Sequence, residues 1–256
     1  IINKMKILVT GSQGYIGTVL CQILKEKKYN VVGYDVGYYK DNVLIPHYEE
    51  IFTISKDIRD VVEQDLEGFD VVIHLAALSN DPLGEFSPRL TREINLDATL
   101  NLAKIAKKAK VSRFIFSSSQ SMYGISKNDN ELDEINSEKK PVTEYAKTKW
   151  EAELAINKLS CKNFSVTCLR PSTVFGASNR LRCDIVFNNL VACAFTTGKI
   201  EIKSDGSPWR PVVHVKDVCS AFISIIEAPL KYVQGKAFNV GIKNGNYTVR
   251  DLAVAA

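Results

Sequence analysis

Along residues 5–170, short apolar runs alternate with longer amphipathic stretches. The amphipathic stretches repeat their apolar residues every three or four positions, most clearly over 87–109, where the opposite face carries lysine and arginine. Each apolar run has the length of one strand, and these runs lie at 7–9, 31–35, 51–54, 69–77, 113–117 and 164–169. The alternation predicts a doubly wound α/β fold, with a parallel sheet buried on both faces and right-handed crossovers.

The rhythm changes after Pro171, and we therefore divide the chain into 1–170 and a smaller, interleaved region at 171–256. The smaller region is predicted to contain helices at 183–195 and 218–226, and strands near Ile200, near Val212 and at 237–240. Elsewhere the pattern predicts loops at 36–50 and 124–141 and a helix at 142–159. A new helix begins near Val249, and because so short a helix cannot bury its face, we expect more polypeptide after Ala256.

The sequence GSQGYIG, at 11–17, joins the first predicted strand to the first predicted helix. Gly11 suits a tight turn, Gly14 lets a phosphate approach the backbone, and Gly17 lets the helix pack close to the strand. The free amides at the helix start and the helix dipole favour a bound pyrophosphate. A glycine triplet alone is weak evidence, because ordinary turns also contain glycine.

An acidic residue strengthens the prediction of a dinucleotide at this turn. Asp35 ends the second predicted strand, where its carboxylate can accept hydrogen bonds from a ribose diol. Val36 and Gly37 follow, so no arginine is present to meet a 2′-phosphate, which the carboxylate would also repel. The pattern predicts a Rossmann-like domain that binds NAD in preference to NADP.

Composition mainly excludes other classes of function. The 256 residues carry a net charge of only +4 and their lysines are dispersed, so we expect no nucleic-acid partner. No apolar run reaches the length of a membrane span, and the start does not resemble a signal peptide, so we expect a cytoplasmic protein without membrane contact. The six cysteines lack CxxC spacing and histidine neighbours at metal-ligand spacing, which predicts reduced thiols and no metal site.

The pattern Tyr-x-x-x-Lys occurs three times, beginning at Tyr123, Tyr145 and Tyr232. The first and third copies contain a glycine next to a predicted strand, whereas Tyr145 and Lys149 lie in a predicted helix and share one face. There the lysine charge can lower the pKa of the phenol, and a phenolate can take the proton of an alcohol that loses hydride. An exposed helix with an accidental Tyr/Lys pair is the alternative.

Three serines, Ser117 to Ser119, follow the fifth predicted strand, at the edge where open α/β sheets bind ligands. On their own they favour the capping of a turn, which is a common role of serine at strand ends. Together with the predicted Tyr145–Lys149 helix they favour a catalytic site.

Taken in order, these motifs resemble the extended short-chain dehydrogenase/reductase superfamily, and within it the NAD-dependent nucleotide-sugar epimerase/dehydratase family of the UDP-glucose 4-epimerase-like type. The resemblance covers almost the whole chain and rests on GSQGYIG, Asp35, Asp57-Ile58, His74 to Ala77, Asn95, Ser117 to Ser119, Tyr145/Lys149 and Arg170-Pro171. It implies NAD as cofactor, a nucleotide-diphosphate sugar as substrate, substrate binding by 171–256, and a homodimer formed through 87–109 and 142–159.

The resemblance also implies roles for individual residues. Ser119 would hydrogen-bond the sugar hydroxyl or ketone, Tyr145 would be the base, and Lys149 would hold the ribose and lower the pKa of the phenol. The implied NAD-binding residues are Gly11, Gly14, Tyr15, Ile16, Gly17, Asp35, Asp57, Ile58, Leu75, Ala76, Ala77, Asn95, Ser117, Tyr145, Lys149 and Pro171. The implied substrate-binding residues are Ser79, Ser119, Asn189 and Arg210.

Departures from the family pattern narrow the expected chemistry. Family dehydratases carry an Asp-Glu pair after the catalytic Ser/Thr, but Gln120 and Ser121 stand there in this sequence. A 3,5-epimerase would need a cysteine near Ser121, and this sequence has none there. The loop at 78–82 also lacks the lysine that is common in the 4-epimerase, so the identity of the sugar substrate stays undecided. We expect a 4-epimerase-like enzyme that oxidises a sugar carbinol transiently. The alternatives are a nucleotide-sugar dehydrogenase or reductase with exchangeable NAD(P), and a non-catalytic NAD(H)-binding regulator.

Overall fold

The computed structural model describes residues 5–44, 51–79, 81–125 and 131–256. The strands are β1 Lys6–Thr10, β2 Asn30–Asp35, β3 Thr53–Ser55, β4 Val71–His74, β5 Arg113–Ser117, β6 Ser165–Pro171, β7 Thr173–Phe175, β8 Trp209–His214, β9 Lys236–Val240 and β10 Asn246–Thr248. The helices are α1 Tyr15–Glu26, α2 Asp81–Phe86, α3 Pro88–Arg92, α4 Thr99–Lys108, α5 Glu144–Asn157, α6 Val186–Thr197, α7 Val215–Glu227, α8 Leu230–Val233 and α9 Val249–Ala255.

A parallel sheet of seven strands forms the centre of the fold, in the order β3-β2-β1-β4-β5-β6-β9. A second, small sheet contains β8, which pairs parallel with β7 and antiparallel with β10. The predicted doubly wound, Rossmann-like fold is therefore confirmed.

Helices cover both faces of the central sheet, which explains why its strands are continuously apolar. On β1, Ile7 and Val9 pack with residues of α1 and α7, whereas Leu8 packs with residues of α4 and α5 on the opposite face. This division follows from the two-residue period of a strand. Within the described residues, no helix is both long and apolar enough to cross a lipid bilayer.

The helix predicted at 87–109 is a continuous helical stretch that changes its winding in the middle. It consists of α3, a π-helical segment at Glu93–Ala98, and α4. Such π-helical turns are rare and often accompany functional sites. Here the segment contains Asn95, which is fully buried.

The smaller region departs from prediction at four places. The strand predicted near Ile200 is wrong: this residue lies outside the strands, just beyond the left-handed Gly198 that ends α6. Its side chain packs instead on the small core cluster built from Leu190, Val212 and Leu252. The strands β7 and β10 and the helix α8 are not predicted, because three or four residues are too few to show a period in the sequence.

The last part of the chain returns to the central sheet. β9 adds beside β6 as the outermost strand, and α7 packs against α1. Residues after Pro171 therefore contribute strands to both sheets.

A buried ion pair ties α5 to β6. Arg170 and Glu153 are 3% and 1% exposed, and Nη2 of Arg170 lies 2.5 Å from Oε1 of Glu153. Burial lowers the pKa of Arg170, but the hydrogen bonds and charge of Glu153 outweigh it, so the guanidinium remains charged. Arg170 also donates to the Tyr123 hydroxyl at 2.7 Å and to the Glu134 carbonyl at 3.0 Å. One cation thus holds α5, β6 and the segments on either side of 126–130.

Glu153→Gln removes the counter-charge and leaves the Arg170 guanidinium buried alone, so we expect it to lower the free energy of unfolding by about 3–5 kcal/mol. Urea denaturation followed by circular dichroism measures this loss. The matched control is Glu151→Gln on the same helix, whose carboxylate is 42% exposed and should contribute about 1 kcal/mol or less. Equal losses in the two variants would contradict the importance of the buried pair.

Candidate active site

The glycine turn brings β1 and α1 closer together than side chains would allow. Gly11 has a φ of +71°, and a Cβ there would lie 2.7 Å from the amide nitrogen of Ala76. A Cβ on Gly17 would lie 2.0 Å from the Gly11 carbonyl oxygen, and this clash would push α1 away from the turn. α1 begins after Gly14, and no side chain caps its first amides. The helix start can therefore offer those amides to an anion.

Asp35 organises the backbone around this turn. Its Oδ2 accepts from the Gln13 amide at 3.0 Å, and its Oδ1 accepts from the Gly37 amide at 2.9 Å. A pocket of about 340 Å³ opens beside it, lined by Gln13, Asp35, Val36, Gly37, Lys40, Thr53 and Ser55. Each carboxylate oxygen retains a further lone pair, so ribose binding by Asp35 stays a prediction with which this geometry is compatible.

Asp57 and Ile58 follow β3 at the same edge of the sheet. The Asp57 carboxylate accepts from the Arg59 amide at 2.8 Å and from its guanidinium at 2.7 Å. These hydrogen bonds from Arg59 lower the pKa of Asp57. Ile58 is 5% exposed and belongs to the core. The predicted contact of both residues with adenine stays a prediction.

His74, at the end of β4, is a structural residue. It is fully buried, with Nδ1 2.7 Å from the Thr10 hydroxyl and Nε2 2.8 Å from the Thr99 hydroxyl. Burial lowers its pKa to about 3, so the ring is neutral in ordinary buffers. The imidazole thus joins β1, β4 and α4 behind the segment that carries Leu75, Ala76 and Ala77.

Asn95 holds the chain that follows β4, at Leu78. Its Nδ2 donates to the Leu78 carbonyl at 3.0 Å, and its Oδ1 accepts from the Leu78 amide at 2.8 Å. Because Leu78 engages both ends of the amide, Asn95 positions the backbone of the predicted nucleotide-binding segment. Its predicted support of the cofactor would therefore run through this segment and stays a prediction.

Lys149 is buried with only one hydrogen-bond acceptor identified. It is 3% exposed, Nζ donates to the Ser117 carbonyl at 2.8 Å, and Nζ lies 4.7 Å from the centre of the Phe116 ring. Burial lowers the pKa of Lys149 to about 7. The α5 helix thus holds an ammonium at the carboxyl end of β5, where ligands bind in such sheets.

Tyr145 lies one helical turn before Lys149 and is half-buried. Thr143 caps the start of α5 by accepting from the Ala146 amide at 3.2 Å, which fixes the turn that carries the phenol. Nearby along the chain, Ser119 accepts from the Ser121 amide at 3.1 Å and donates to the Ser121 hydroxyl at 3.0 Å. The residues predicted to be catalytic therefore belong to the end of β5 and to the helix packed beside it.

The other two Tyr-x-x-x-Lys copies have different environments. The Tyr123 hydroxyl donates to Asn239 at 2.8 Å and accepts from Arg170, and Lys127 lies outside the described residues. Tyr232 is 57% exposed on α8, whereas its lysine, at 236, begins β9. Of the pairs that the structure describes, Tyr145 with Lys149 is the one that shares a helix and buries its lysine.

The substrate-binding residues predicted in the smaller region lie on separate elements. On α6, Asn189 donates to the Cys183 carbonyl at 2.9 Å. Arg210, on β8, is exposed and donates to the Trp209 carbonyl at 3.2 Å. Pro171 is buried at the end of β6. Diphosphate binding by Asn189 and Arg210 stays a prediction.

The Tyr15 side chain points into the smaller region. Its hydroxyl donates to the Gly176 carbonyl at 2.7 Å and accepts from Asn188 at 3.3 Å. One turn further along α1, the Thr18 hydroxyl lies 2.9 Å from that of Ser178. Tyr15 can therefore meet a pyrophosphate through its backbone amide, while its side chain joins α1 to the segment before α6.

Arg182 is a residue of this region that the sequence analysis misses. It pairs with Asp184, Nε to Oδ1 at 3.0 Å, and its Nη1 donates to the Ser79 hydroxyl at 3.1 Å. In the sequence, Arg182 and Asp184 are two positions apart, which indicates only a local ion pair. The contact with Ser79 spans 103 positions, so no sequence pattern announces it.

These features fit the dinucleotide that the sequence predicts. The glycine turn leaves room for a phosphate at an uncapped helix start, Asp35 borders a polar pocket, and Lys149 lies at the neighbouring strand end. In the parts of the chain that the structure describes, no group of three His, Cys, Asp or Glu side chains could hold a metal ion. All six cysteines are free thiols.

Lys149→Met should change how stability depends on pH. The Lys149 pKa is about 7 in the folded protein against an ordinary value of 10.5, so between these values the unfolded chain binds more protons. Stability of the unsubstituted protein should therefore rise over this range, relative to Lys149→Met, by up to about 1.4 kcal/mol per pH unit. Urea unfolding between about pH 7 and 9 measures it. Lys147→Met, at an exposed position of the same helix, is the control; wild-type behaviour in both variants would contradict the prediction.

Solved structures of the same fold bind nucleotide sugars. The UDP-N-acetylglucosamine 4-epimerase from Methanobrevibacter ruminantium M1, in complex with UDP-N-acetylmuramic acid, superposes with a TM-score of 0.86 at 27% identity and covers 99% of this chain and 81% of that chain. MoeE5 in complex with UDP-glucose and NAD gives a TM-score of 0.83 at 27% identity, covering 96% of this chain and 79% of that chain.

Relatives found by sequence similarity also include epimerases. The uncharacterized UDP-glucose epimerase YtcB of Bacillus subtilis is 28% identical over 253 residues, which are 93% of this chain and 77% of the relative. The N-acetyl-alpha-D-glucosaminyl-diphospho-ditrans,octacis-undecaprenol 4-epimerase of Escherichia coli O157:H7 is 30% identical over 233 residues, 89% of this chain and 63% of the relative. The model of the NAD dependent epimerase/dehydratase family matches residues 7–241. The chain therefore belongs to the NAD dependent epimerase/dehydratase family, and its cofactor is NAD.

Proposed function

We propose that this protein is a nucleotide-sugar epimerase that oxidises one sugar carbinol transiently, as a 4-epimerase does. The observation that carries the proposal is the Tyr145–Lys149 pair, in which a half-buried phenol lies one helical turn from a buried ammonium. The ammonium in turn is bonded to Ser117 at the carboxyl end of β5. Bound NAD supplies reversible uptake of a hydride, which no side chain can supply.

The chain's own residues would hold and move protons around the reacting carbon. Tyr145, as a phenolate, takes the proton of the sugar hydroxyl and later returns it to the ketone oxygen. Lys149 favours the phenolate by its charge, and Ser119 hydrogen-bonds the same sugar oxygen. The amides at the start of α1 hold the cofactor diphosphate, with Asp35 beside its ribose.

Epimerisation also requires that the sugar turn over between the two hydride steps. We assign the nucleotide diphosphate of the substrate to the region 171–256, with Arg210 and Asn189 as its ligands, because a guanidinium fork matches phosphate oxygens. A firm hold on the diphosphate and a loose hold on the sugar would allow the ketone to present its other face.

The residues after Ser119 favour epimerisation over dehydration. A dehydratase needs acids there to protonate the leaving hydroxyl, whereas this chain has Gln120 and Ser121. The Ser121 hydroxyl hydrogen-bonds Ser119, so it supports the hydroxyl predicted to touch the substrate. Several sequence relatives are 4-epimerases by name, UDP-glucose 4-epimerase of Lactobacillus helveticus among them, whereas the human relative is a dTDP-D-glucose 4,6-dehydratase.

Incubation with a panel of UDP-, GDP-, CDP- and dTDP-sugars tests the proposal, beginning with UDP-sugars. Conversion of a sugar nucleotide to its epimer without added NAD is the expected result. A stoichiometric change in NADH would instead identify a dehydrogenase or reductase with exchangeable cofactor. Bound NAD without any turnover would point to a non-catalytic regulator.

Tyr145→Phe should reduce kcat by about 10²- to 10⁴-fold, because it removes the only hydroxyl assigned to general-base catalysis. NAD binding, measured by fluorescence titration, should change little. Tyr232→Phe is the matched control, since it alters the exposed tyrosine of another Tyr-x-x-x-Lys copy and should leave kcat unchanged. Wild-type turnover in Tyr145→Phe would refute the assigned base.

We also propose a cytoplasmic homodimer. Leu154 on α5 is 45% exposed and Phe86 on α2 is 87% exposed, which leaves apolar side chains uncovered near the helices that would meet. Leu154→Glu should convert the dimer to a monomer in light scattering, because a second copy would have to bury the new charge. A monomeric wild type, or a dimer unaffected by the substitution, would exclude this interface.

A further inference from the structure

A cation–π contact joins the loop that follows β2 to the segment that precedes α6. The guanidinium carbon of Arg180 lies 4.1 Å from the centre of the Tyr39 ring. This contact is attractive, because the face of an aromatic ring carries partial negative charge. One residue earlier in the segment, the Asn179 carbonyl accepts from the Leu44 amide at 2.9 Å. The loop at 36–44 is therefore held at two points by residues 179 and 180.

The segment 178–180 is itself fixed on the first turn of α1. The Ser178 hydroxyl donates to the Tyr15 carbonyl at 2.7 Å and lies 2.9 Å from the Thr18 hydroxyl. The Arg180 amide donates to the same Ser178 hydroxyl at 3.3 Å. Ser178 and Thr18 are 6% and 3% exposed, so water competes little for these hydrogen bonds. The backbone of Arg180 therefore rests on the helix start that is predicted to bind the pyrophosphate.

Tyr39 belongs to a turn that forms one wall of the pocket beside Asp35. The Lys40 amide donates to the Gly37 carbonyl at 3.3 Å, which closes the turn 37–40. Gly37 and Lys40 both line the pocket of about 340 Å³. The Gly37 amide also donates to the Asp35 carboxylate at 2.9 Å. A shift of Tyr39 would therefore move a wall of the pocket in which the adenosine ribose is predicted to lie.

These contacts form a closed ring around that end of the cofactor site. From the start of α1 the ring passes through Ser178, Arg180 and Tyr39 to the turn 37–40. It returns through Asp35, which accepts from the Gln13 amide of the glycine turn at 3.0 Å. In the part of the chain that the structure describes, neither Arg180 nor Tyr39 lines the pocket. Their contact can therefore be removed without changing Asp35, the glycine turn or α1.

We propose that Arg180 is a positioning residue for NAD: by holding Tyr39, it keeps the turn 37–40 closed beside Asp35 and slows release of the cofactor. A wall that is ordered before binding lowers the entropy cost of binding, and the same contact opposes opening of the wall. The inference deepens the proposed function and rests on it for its purpose, since an epimerase must retain one NAD through two hydride steps.

The release of NADH tests the proposal without any turnover, and its fluorescence is followed after excess NAD is added. Arg180→Gln and Tyr39→Leu should each release NADH about two- to fivefold faster, which corresponds to the strength of a partly exposed cation–π contact. Tyr39→Phe keeps the aromatic face and should release NADH at the wild-type rate. Arg89→Gln, whose side chain is 92% exposed, and Tyr232→Leu, at a residue that is 57% exposed, are the controls and should change nothing.

The double variant separates positioning from direct binding. Because Arg180 is proposed to act through Tyr39, Arg180→Gln combined with Tyr39→Leu should release NADH no faster than either single variant. Effects of the two substitutions that multiply would make Arg180 a direct ligand of the cofactor and overturn the positioning role. An unchanged rate in Arg180→Gln, or a Tyr39→Phe variant as fast as Tyr39→Leu, would overturn it as well.

ADP-ribose locates the effect, since it carries the adenosine and the diphosphate but no nicotinamide. Its Kd, measured by calorimetry, should rise in Arg180→Gln by about the same factor as the rate of NADH release. Weaker NADH binding with an unchanged Kd for ADP-ribose would place the effect elsewhere and refute the proposal. Neither measurement depends on a sugar substrate: a protein that shows both effects but converts no sugar nucleotide would lose the epimerase assignment and keep this role of Arg180.

Discussion

A buried lysine constrains the whole arrangement of this candidate active site. Lys149 is 3% exposed, and the one hydrogen-bond acceptor identified for it is a backbone carbonyl, at Ser117. Removing a charge from water is unfavourable, so the lysine occupies this position only because α5 is packed tightly on the sheet. Its hydrogen bond sets the helix in register with the end of β5, and this register determines where Tyr145 lies relative to Ser117 and Ser119.

The same helix supplies the stability that this arrangement requires. One turn beyond Lys149, Glu153 is equally buried but pairs with Arg170 of β6. Arg170 also donates hydrogen bonds to the Tyr123 hydroxyl and the Glu134 carbonyl, both of which lie in the part of the chain between Ser119 and α5. Two buried charges on one helix face therefore differ: Glu153 is paired with Arg170, whereas the acceptor identified for Lys149 is a neutral backbone carbonyl.

Residues before and after Pro171 are joined by hydrogen bonds beside the candidate site. Tyr15 binds Gly176, Thr18 binds Ser178, and Arg182 binds Ser79. Each contact joins a segment next to the glycine turn or to β4 with the segment before α6. Any change that separates the regions would therefore disturb the start of α1 and the surroundings of Tyr145 together, and the contact of β9 with β6 opposes such a separation.

The sequence by itself determined the layered α/β fold and the glycine turn, and it singled out Tyr145 with Lys149 as the candidate pair among three copies of one pattern. These features are local: burial on both faces leaves a strand continuously apolar, a strained turn requires glycine, and a helix brings residues four apart onto one face. Only the tertiary structure decided that Ile200 packs without joining a strand, that Asn95 binds Leu78, and that Arg182 reaches Ser79. Contacts between residues far apart in the chain leave no period in the sequence, because they depend on where separate elements come to rest against one another.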